Sequence, residues 1–406
     1  MNICKFFSFR SKFKSSNFSS NPLIFQFYRH VSSSRFNHPF AMIFDIDGVV
    51  LKGHSLIAGA REAIQKLNAN NIPFIFLTNS DSNEDDKAKQ LSVALSVHID
   101  PYKVISAYSP MRMFTSLHSK RIVGFTNLVT LEDICSRFPE LDYIDKLKRH
   151  FVGFTPSVDP NESSDQFDHI LGVLLMGCPI LWESNIQIIL DLVATGGNLS
   201  RPRSYRLPFY VCNQDLTWKA AASRPSSCEA IVSEHVKQNI KTKIFISYES
   251  ELNANVNIDI HFSLQLHSRI GHGSFVTVLE HLMKLTLGVS LQRDVVTGKP
   301  ELITYDYLQA LMRKHKLQSR SLYFVGDNPS ADIQGANNFR KYLSNRYSAV
   351  VDCENSSDHE HVHSILLKSG IFVDNDISSL PESEKPDFLC EDIYEAVNVA
   401  FTRHCN

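Results

Sequence analysis

From residue 41 onward, short apolar runs closed by turn residues alternate with stretches whose apolar positions recur every three or four residues. Ala41–Phe44 reads as a buried strand, Gly59–Asn70 as a helix, Pro73–Leu77 as a second strand and Asn83–Leu95 as a second helix. Alternation of this kind predicts an α/β fold, a mostly parallel sheet with helices on both faces. Further strands are predicted at Arg121–Phe125, Ile170–Met176, Phe209–Cys212, Ser321–Val325 and Tyr347–Val351. Further helices fit Ser184–Thr195, Ser274–Leu287, Ile303–His315 and Ala331–Phe339. Between Trp218 and Arg269 the pattern degrades into a Ser-rich, then Lys-rich, then Asn/Ile stretch that looks foreign to its surroundings.

At 406 residues the chain has room for two or three domains of roughly 150 residues each. Its 43% hydrophobic and 21% charged content is that of a folded chain with a sizeable core. The longest apolar run, Ile170–Trp182, is broken by Gly and Pro and falls short of the roughly 20 residues of a membrane span. Neither a membrane nor a nucleic acid is expected as a partner, since the net charge is only −2 and no basic run follows the first forty residues. Eight Cys are scattered without one C-x-x-C, so neither a zinc knuckle nor a disulfide framework is expected. Residues 1–40 carry six Lys/Arg, nine Ser, nine Phe and no acid, the composition of a mitochondrial transit peptide. A basic disordered tail with no address is the alternative.

Candidate chemistry lies at strand ends. The strand beginning at Ala41 runs into Asp45 and Asp47, which face the same way in an extended chain. Two adjacent carboxylates repel, and the carboxyl ends of parallel strands are where such sheets bind ligands. Taken alone, Asp45-Ile-Asp-Gly48 is also open to being a solvated acidic turn, since short D-x-D-G strings arise by chance. The next strand ends in Thr78 and Asn79, suited to phosphate oxygens; Lys299 stands just before a helix, where an anion is welcome. A third strand discharges Asp327, with Asp332 in the first turn of the following helix, a position also open to an ordinary N-cap. The conjunction of these four strand-end signals in one chain, rather than any one of them, carries the reading.

Together the four motifs resemble those of the haloacid dehalogenase (HAD) superfamily of phosphohydrolases, and Asp45-Ile-Asp-Gly-Val with Leu77-Thr-Asn-Ser80 resembles its class IIA branch. Ile170-Leu-Gly-Val-Leu-Leu-Met-Gly177, Gly271-His-Gly-Ser-Phe275, Gly298-Lys-Pro-Glu301 and Val325-Gly-Asp-Asn-Pro-Ser-Ala-Asp332 further resemble the mitochondrial cat eye syndrome critical region protein family, also called HAD-like hydrolase domain-containing protein 5. The resemblance spans about 40–218 and 269–401; a response-regulator receiver is excluded, because it has no D-x-D at its opening strand. It implies a Rossmann-like parallel core with a large inserted α/β cap. It also implies a Mg²⁺-dependent phosphatase acting on a small phosphorylated metabolite through an aspartyl-phosphate. Asp45 would be the nucleophile, Asp47 the general acid and base, Thr78 and Lys299 the phosphate-orienting groups. Mg²⁺ would be held by Asp45, the Asp47 carbonyl and Asp327, with Asp332 orienting the metal's water and Lys299. Asn79, Asn213 and Asp215 are expected near the substrate; the last two resemble an Asn-x-Asp at the return from cap to core, and are equally a polar turn.

The expected organisation is a leader over 1–40, a core over 41–80 and 269–406, a cap over 81–219, and an atypical insertion over 220–268, either a lineage-specific loop or translated intron. Asp358-His-Glu-His-Val-His363 has three His at alternate positions, a metal pattern or, better, a polar loop before a strand. A HAD-like domain kept for binding or assembly in mitochondria, with little turnover, is the second functional class; the intact acids favour the phosphatase. A fluorescent protein fused behind roughly residues 1–30 is expected to colocalise with mitochondria, with cleavage near Arg29–Ser34, and diffuse cytosolic fluorescence would count against the leader.

Overall fold

The computed structural model describes residues 36–53, 55–117, 120, 122–125, 141–143, 170–179, 181–198, 204–219, 268–348, 361–372 and 377–404. In chain order the strands that build the two main sheets are β1 (His38–Phe44), β2 (Phe74–Leu77), β3 (Val104–Ile105), β4 (Ile122–Phe125), β5 (Leu141–Tyr143) and β6 (Val173–Leu175). They continue with β7 (Phe209–Cys212), β8 (Arg293–Thr297), β9 (Ser319–Gly326), β10 (His361–Leu367) and β11 (Phe388–Cys390). The helices are α1 (Ala60–Ala69), α2 (Glu84–Leu95), α3 (Trp182–Ala194), α4 (His272–Leu287), α5 (Leu302–Lys314), α6 (Gln334–Ser348) and α7 (Ile393–His404).

The first sheet has the order β11-β10-β9-β1-β2-β3 and is parallel throughout. Alternation along β1 explains its central place. Phe40, Met42 and Phe44 enter one core with α1, α2 and α7, whereas Ala41 and Ile43 enter another with α5 and α6. Both faces are covered, as a parallel sheet requires, and each fully buried side chain of this size contributes about 1.5–3 kcal/mol. α1 follows the same logic at helical period, burying Ala60, Ala63, Ile64 and Leu67. At the start of α2, Asn83 accepts hydrogen bonds from the Asp85 and Asp86 amides, and Glu84, Asp85 and Asp86 meet the positive end of the helix.

The second sheet, β8-β7-β6-β4-β5, is also parallel. α3 and α4 cover one face, where Ile188, Ile189, Phe275 and Leu279 meet Val123, Val173, Phe209 and Val211. The other face, with Leu174, Met176, Tyr210 and Cys212, packs on Ala107, Tyr108 and Met111 from the segment that leaves the first sheet. The fold is therefore an α/β, Rossmann-like core carrying a large inserted α/β cap.

The sheets divide the chain differently from the expected boundaries. α2 and β3, expected in the cap, belong to the first sheet and its helix layer; α4 and β8, expected in the core, complete the second. Local periodicity reports that a strand exists but not which sheet it joins. β8 was not predicted, since Arg293-Asp-Val-Val-Thr297 has only two apolar residues. The strand expected at Tyr347–Val351 is also corrected: Tyr347 and Ser348 end α6, and the strand that joins the sheet is β10. His361 and His363 lie within β10, with the His363 ring 4.7 Å from that of Tyr323. Residues 1–35 and 220–267, which hold most of the expected leader and insertion, lie outside the described residues.

Thr217–Lys219 and Ser268–Ile270 form a two-stranded antiparallel ladder in which Lys219 is paired with Ser268. Chain ends so joined need only a two-residue turn. Replacing 220–267 by Asn-Gly is expected to leave a soluble protein whose thermal midpoint stays within about 3 °C of the full chain; an insoluble product would assign the segment to the lid.

Candidate active site

Register brings the acids together. Phe44 of β1 lies opposite Val325 of β9 and Phe76 of β2, and the Asp45 amide donates to the Val325 carbonyl at 2.9 Å. The three strands therefore end level, and Asp45, Thr78 and Asp327 emerge from neighbouring ends. Carboxylate oxygens of Asp45, Asp327 and Asp332 lie within 4.8 Å of one another, and all three residues are buried. Lys299 Nζ bridges two of them, donating to Asp45 Oδ1 at 2.6 Å and meeting Asp332 Oδ1 at 2.7 Å.

Burial opposes charge on Lys299, but Asp332 and Asp45 outweigh it and hold the ammonium well above the usual lysine range. Burial pushes the Asp45 carboxyl well up, Lys299 opposes the rise, and Asp332, Asp327 and Asp47 add to it. Asp47 is also raised by burial, with Lys87 and then Lys299 opposing. Three hard-oxygen donors converging beside one ammonium fit a Mg²⁺-sized cation. The Asp47 carboxylate stands outside that group of three.

Local backbone makes the closeness possible. Gly48 turns the chain after Asp47 at φ 97°, where a Cβ would fall 2.1 Å from Asp327 Oδ2. A side chain there would meet both backbone strain and the carboxylate. Asp327 Oδ2 accepts from the Ile371 amide at 2.6 Å, and Ser369 Oγ donates to the Gly48 carbonyl at 2.9 Å. This loop after β10 was missed in the sequence, where Ser-Gly following an apolar strand was the available signal. Asp332 is no surface cap: it is 5% exposed and accepts from the Asn328 amide at 3.0 Å, while Asn328 itself caps the turn.

Thr78 is buried at the end of β2, and its Oγ1 accepts from the Ser80 amide at 3.1 Å. Asn79 Oδ1 accepts from the Lys299 amide at 2.7 Å, and its Nδ2 donates to the Lys299 carbonyl at 3.0 Å and to Asp215 Oδ2 at 2.9 Å. Asn213, at φ 115°, donates to the Asn79 carbonyl at 2.9 Å and accepts from the Asp215 amide at 2.6 Å. The polar groups of Asn79, Asn213 and Asp215 are thus engaged with one another and with the Lys299 main chain, and all three residues also line the cavity over the site.

A cavity of about 750 Å³ opens over these groups, lined by Asp45, Asp47, Thr78 and Asp327 at the ends of the first sheet's strands, by Lys299 before α5 and Asp332 in the turn after β9, and by Met176, Gly177, Cys178 and His272 from the cap. Lys87 and Gln90 of α2 add a further wall. His272, also missed in the sequence, is buried, and burial pushes its imidazole down to about 4, so the ring is neutral.

Burial raises the Asp215 carboxyl to about 6, against the pull of Asn79 and Lys299. An unfolded Asp titrates near ~3.9, so the folded chain binds the extra proton between about 4 and 6. The penalty is absent below that window, grows as pH rises through it and is fully present above. Asp215→Asn keeps an acceptor for Asn79 without titrating. Its urea stability relative to wild type is expected to improve by about 2–3 kcal/mol between pH 4 and 7.5; a pH-independent difference would count against a raised Asp215 carboxyl in the folded chain.

Residues 42–134 match a family model described as haloacid dehalogenase-like hydrolase, and residues 296–339 match a second, HAD-hydrolase-like model. A mitochondrial hydrolase of Saccharomyces cerevisiae is 25% identical over 408 residues, spanning 90% of this chain and 96% of the yeast protein. The p-nitrophenyl phosphatase of Archaeoglobus fulgidus has the same fold at a TM-score of 0.52 and 14% identity, covering 89% of this chain and 99% of its own. A glycerol phosphate phosphatase of Mycobacterium tuberculosis, solved in complex with magnesium, gives 0.51 at 15% identity, with 91% and 78% covered. The matched segments contain Asp45, Asp47, Thr78, Lys299, Asp327 and Asp332, so the candidate residues lie where the chain is similar to haloacid dehalogenase-like hydrolases.

Proposed function

We propose that this chain is a Mg²⁺-dependent phosphohydrolase that cleaves a small phosphorylated metabolite in the mitochondrial matrix through an aspartyl-phosphate on Asp45. The observation that carries the reading is the Asp45–Lys299–Asp332 bridge with Asp327 beside it, at level strand ends beneath a cavity roofed by the cap. The yeast relative's name supports the compartment, and the composition of residues 1–40 agrees with it.

Asp45 attacks phosphorus, forming the Asp45 O–P bond as the ester P–O bond breaks. Asp47, which burial favours in its protonated form, gives its proton to the departing alkoxide. In the second half Asp47 takes a proton from the water that attacks the aspartyl-phosphate, releasing inorganic phosphate and restoring Asp45. Such acid–base work contributes about 10²- to 10⁴-fold. Thr78 and Lys299 orient and neutralise the phosphoryl oxygens, and Asp332 holds Lys299 in place. Asp45, Asp327, Asp332 and the Asp47 carbonyl would hold Mg²⁺, whose charge offsets the carboxylates and the phosphoryl group alike. Asn79, Asn213 and Asp215 tie the cap's return to the Lys299 backbone. The cap, 106–297 by sheet membership, excludes water when closed over the cavity.

Asp45→Asn is expected to abolish phosphate release from any substrate, and residual activity within about tenfold of wild type would sink the covalent route. Asp47→Asn should slow an alkyl phosphate far more than p-nitrophenyl phosphate, whose leaving group departs without a proton; equal losses would remove Asp47 from the acid role. Chelation of Mg²⁺ with EDTA should stop turnover and readdition restore it.

A further inference from the structure

α2 forms one wall of the cavity with Asn83, Lys87 and Gln90, positions that share a helix face. Most charges around that wall are committed elsewhere. Asp86 pairs with Lys89 at 3.3 Å, Asp215 accepts from Asn79, and Asp45 and Asp332 share Lys299. The half-buried Lys87 differs: its ammonium has no hydrogen-bond or ion-pair partner among the described residues. Lys87 and Asp47 line the same cavity, so the ammonium is open to whatever occupies the space beside Asp47.

Asp47 meets the oxygen of the departing alcohol in the proposed reaction. A cation facing Asp47 therefore faces the alcohol side of the substrate, opposite the phosphoryl end gripped by Lys299. We propose that Lys87 is a specificity-determining residue that binds an anionic group on that alcohol, so that the substrate is a phosphate monoester carrying a second negative group. This rests on the phosphohydrolase reading. An ammonium lining a cavity without a partner gains a charge-assisted hydrogen bond from such a group, whereas a neutral hydroxyl offers it little more than water does. Specificity then originates partly in the core, on a helix that does not move with the cap.

A matched pair of probes isolates the effect: glycerol 3-phosphate and 3-phosphoglycerate differ by a hydroxymethyl against a carboxylate. With the full chain and Mg²⁺, kcat/KM is expected to favour 3-phosphoglycerate by about tenfold or more, mainly through KM, the scale of one charge-assisted hydrogen bond. Lys87→Met, or Lys87→Gln should Met fold poorly, is expected to bring that ratio to about one, and Lys87→Arg to retain it. A wild-type ratio near one, or a preference that survives neutralisation of Lys87, overturns the proposal. Calorimetric binding of both probes to Asp45→Asn, with and without Lys87→Met, separates the two readings. A carboxylate preference lost with Lys87 supports the pocket whether or not the chain turns over, and equal binding of both probes overturns it.

Discussion

Lys299 stands between Asp45 and Asp332 at 2.6 and 2.7 Å, in a place where burial disfavours the charges of Lys299 and Asp45. Three carboxylates share that space with one ammonium, so the local balance is negative before any ligand arrives. A buried pair of this kind contributes little net stability, because desolvation consumes most of the Coulombic gain, yet loss of one member strands the other at a cost of about 3–5 kcal/mol. The arrangement is better explained by what it binds than by what it stabilises. A divalent cation is complementary to such a site, and a dianionic phosphoryl group becomes so only with that cation beside Lys299.

The rest of the molecule serves to keep those groups from relaxing apart. Level termination of β1, β2 and β9 follows from a parallel register whose side chains are locked on both faces. Close approach of backbone to Asp327 comes from glycine: a Cβ at Gly370 would fall 1.7 Å from Asp327 Oδ2. With its position fixed on that side, Asp327 accepts from Ile371 and cannot swing away from Asp45. Lys299 is fixed differently, by its main chain. Asn79 accepts from its amide and donates to its carbonyl, and the same Asn79 amide reaches Asp215 of the cap. The cap's return is therefore linked, through Asn79, to the residue that donates to Asp45.

The strand-end acids were legible in the sequence because an apolar run that ends abruptly in carboxylates has few purely structural explanations, and several of them in order have fewer. Asp45, Asp47 and Asp327 fall at such points, Thr78 ends another apolar strand, and the structure brings them with Lys299 and Asp332 to one cavity. The boundary between core and cap was not legible. β8 and β9 follow one another closely in the chain yet join different sheets, a choice made by long-range pairing that no local pattern encodes. Asn213 and Asp215 were visible as an Asn-x-Asp string, but their bonds run to Asn79 and to each other, which spacing could not reveal. Lys87 was invisible for a different reason: a lysine behind Glu84-Asp-Asp86 reads as an ordinary exposed helix charge, and only the fold turns it toward Asp47.

Division of labour within the cavity follows from how firmly each wall is held. The phosphoryl end is built from strand termini in the middle of a fully covered sheet, where a displacement of one residue would disturb both cores. Such rigidity suits chemistry that is common to every phosphate monoester. In the proposed reaction the alcohol end is bounded by α2, with Asp86, Lys87 and Gln90, and by the turn after β6, with Met176, Gly177 and Cys178, none of which lies on the strands that carry the acids. Substrate preference can therefore change there at small structural cost. The acids at the strand ends have no such freedom, since altering one leaves Lys299 and the remaining carboxylates without the partner that makes their burial tolerable.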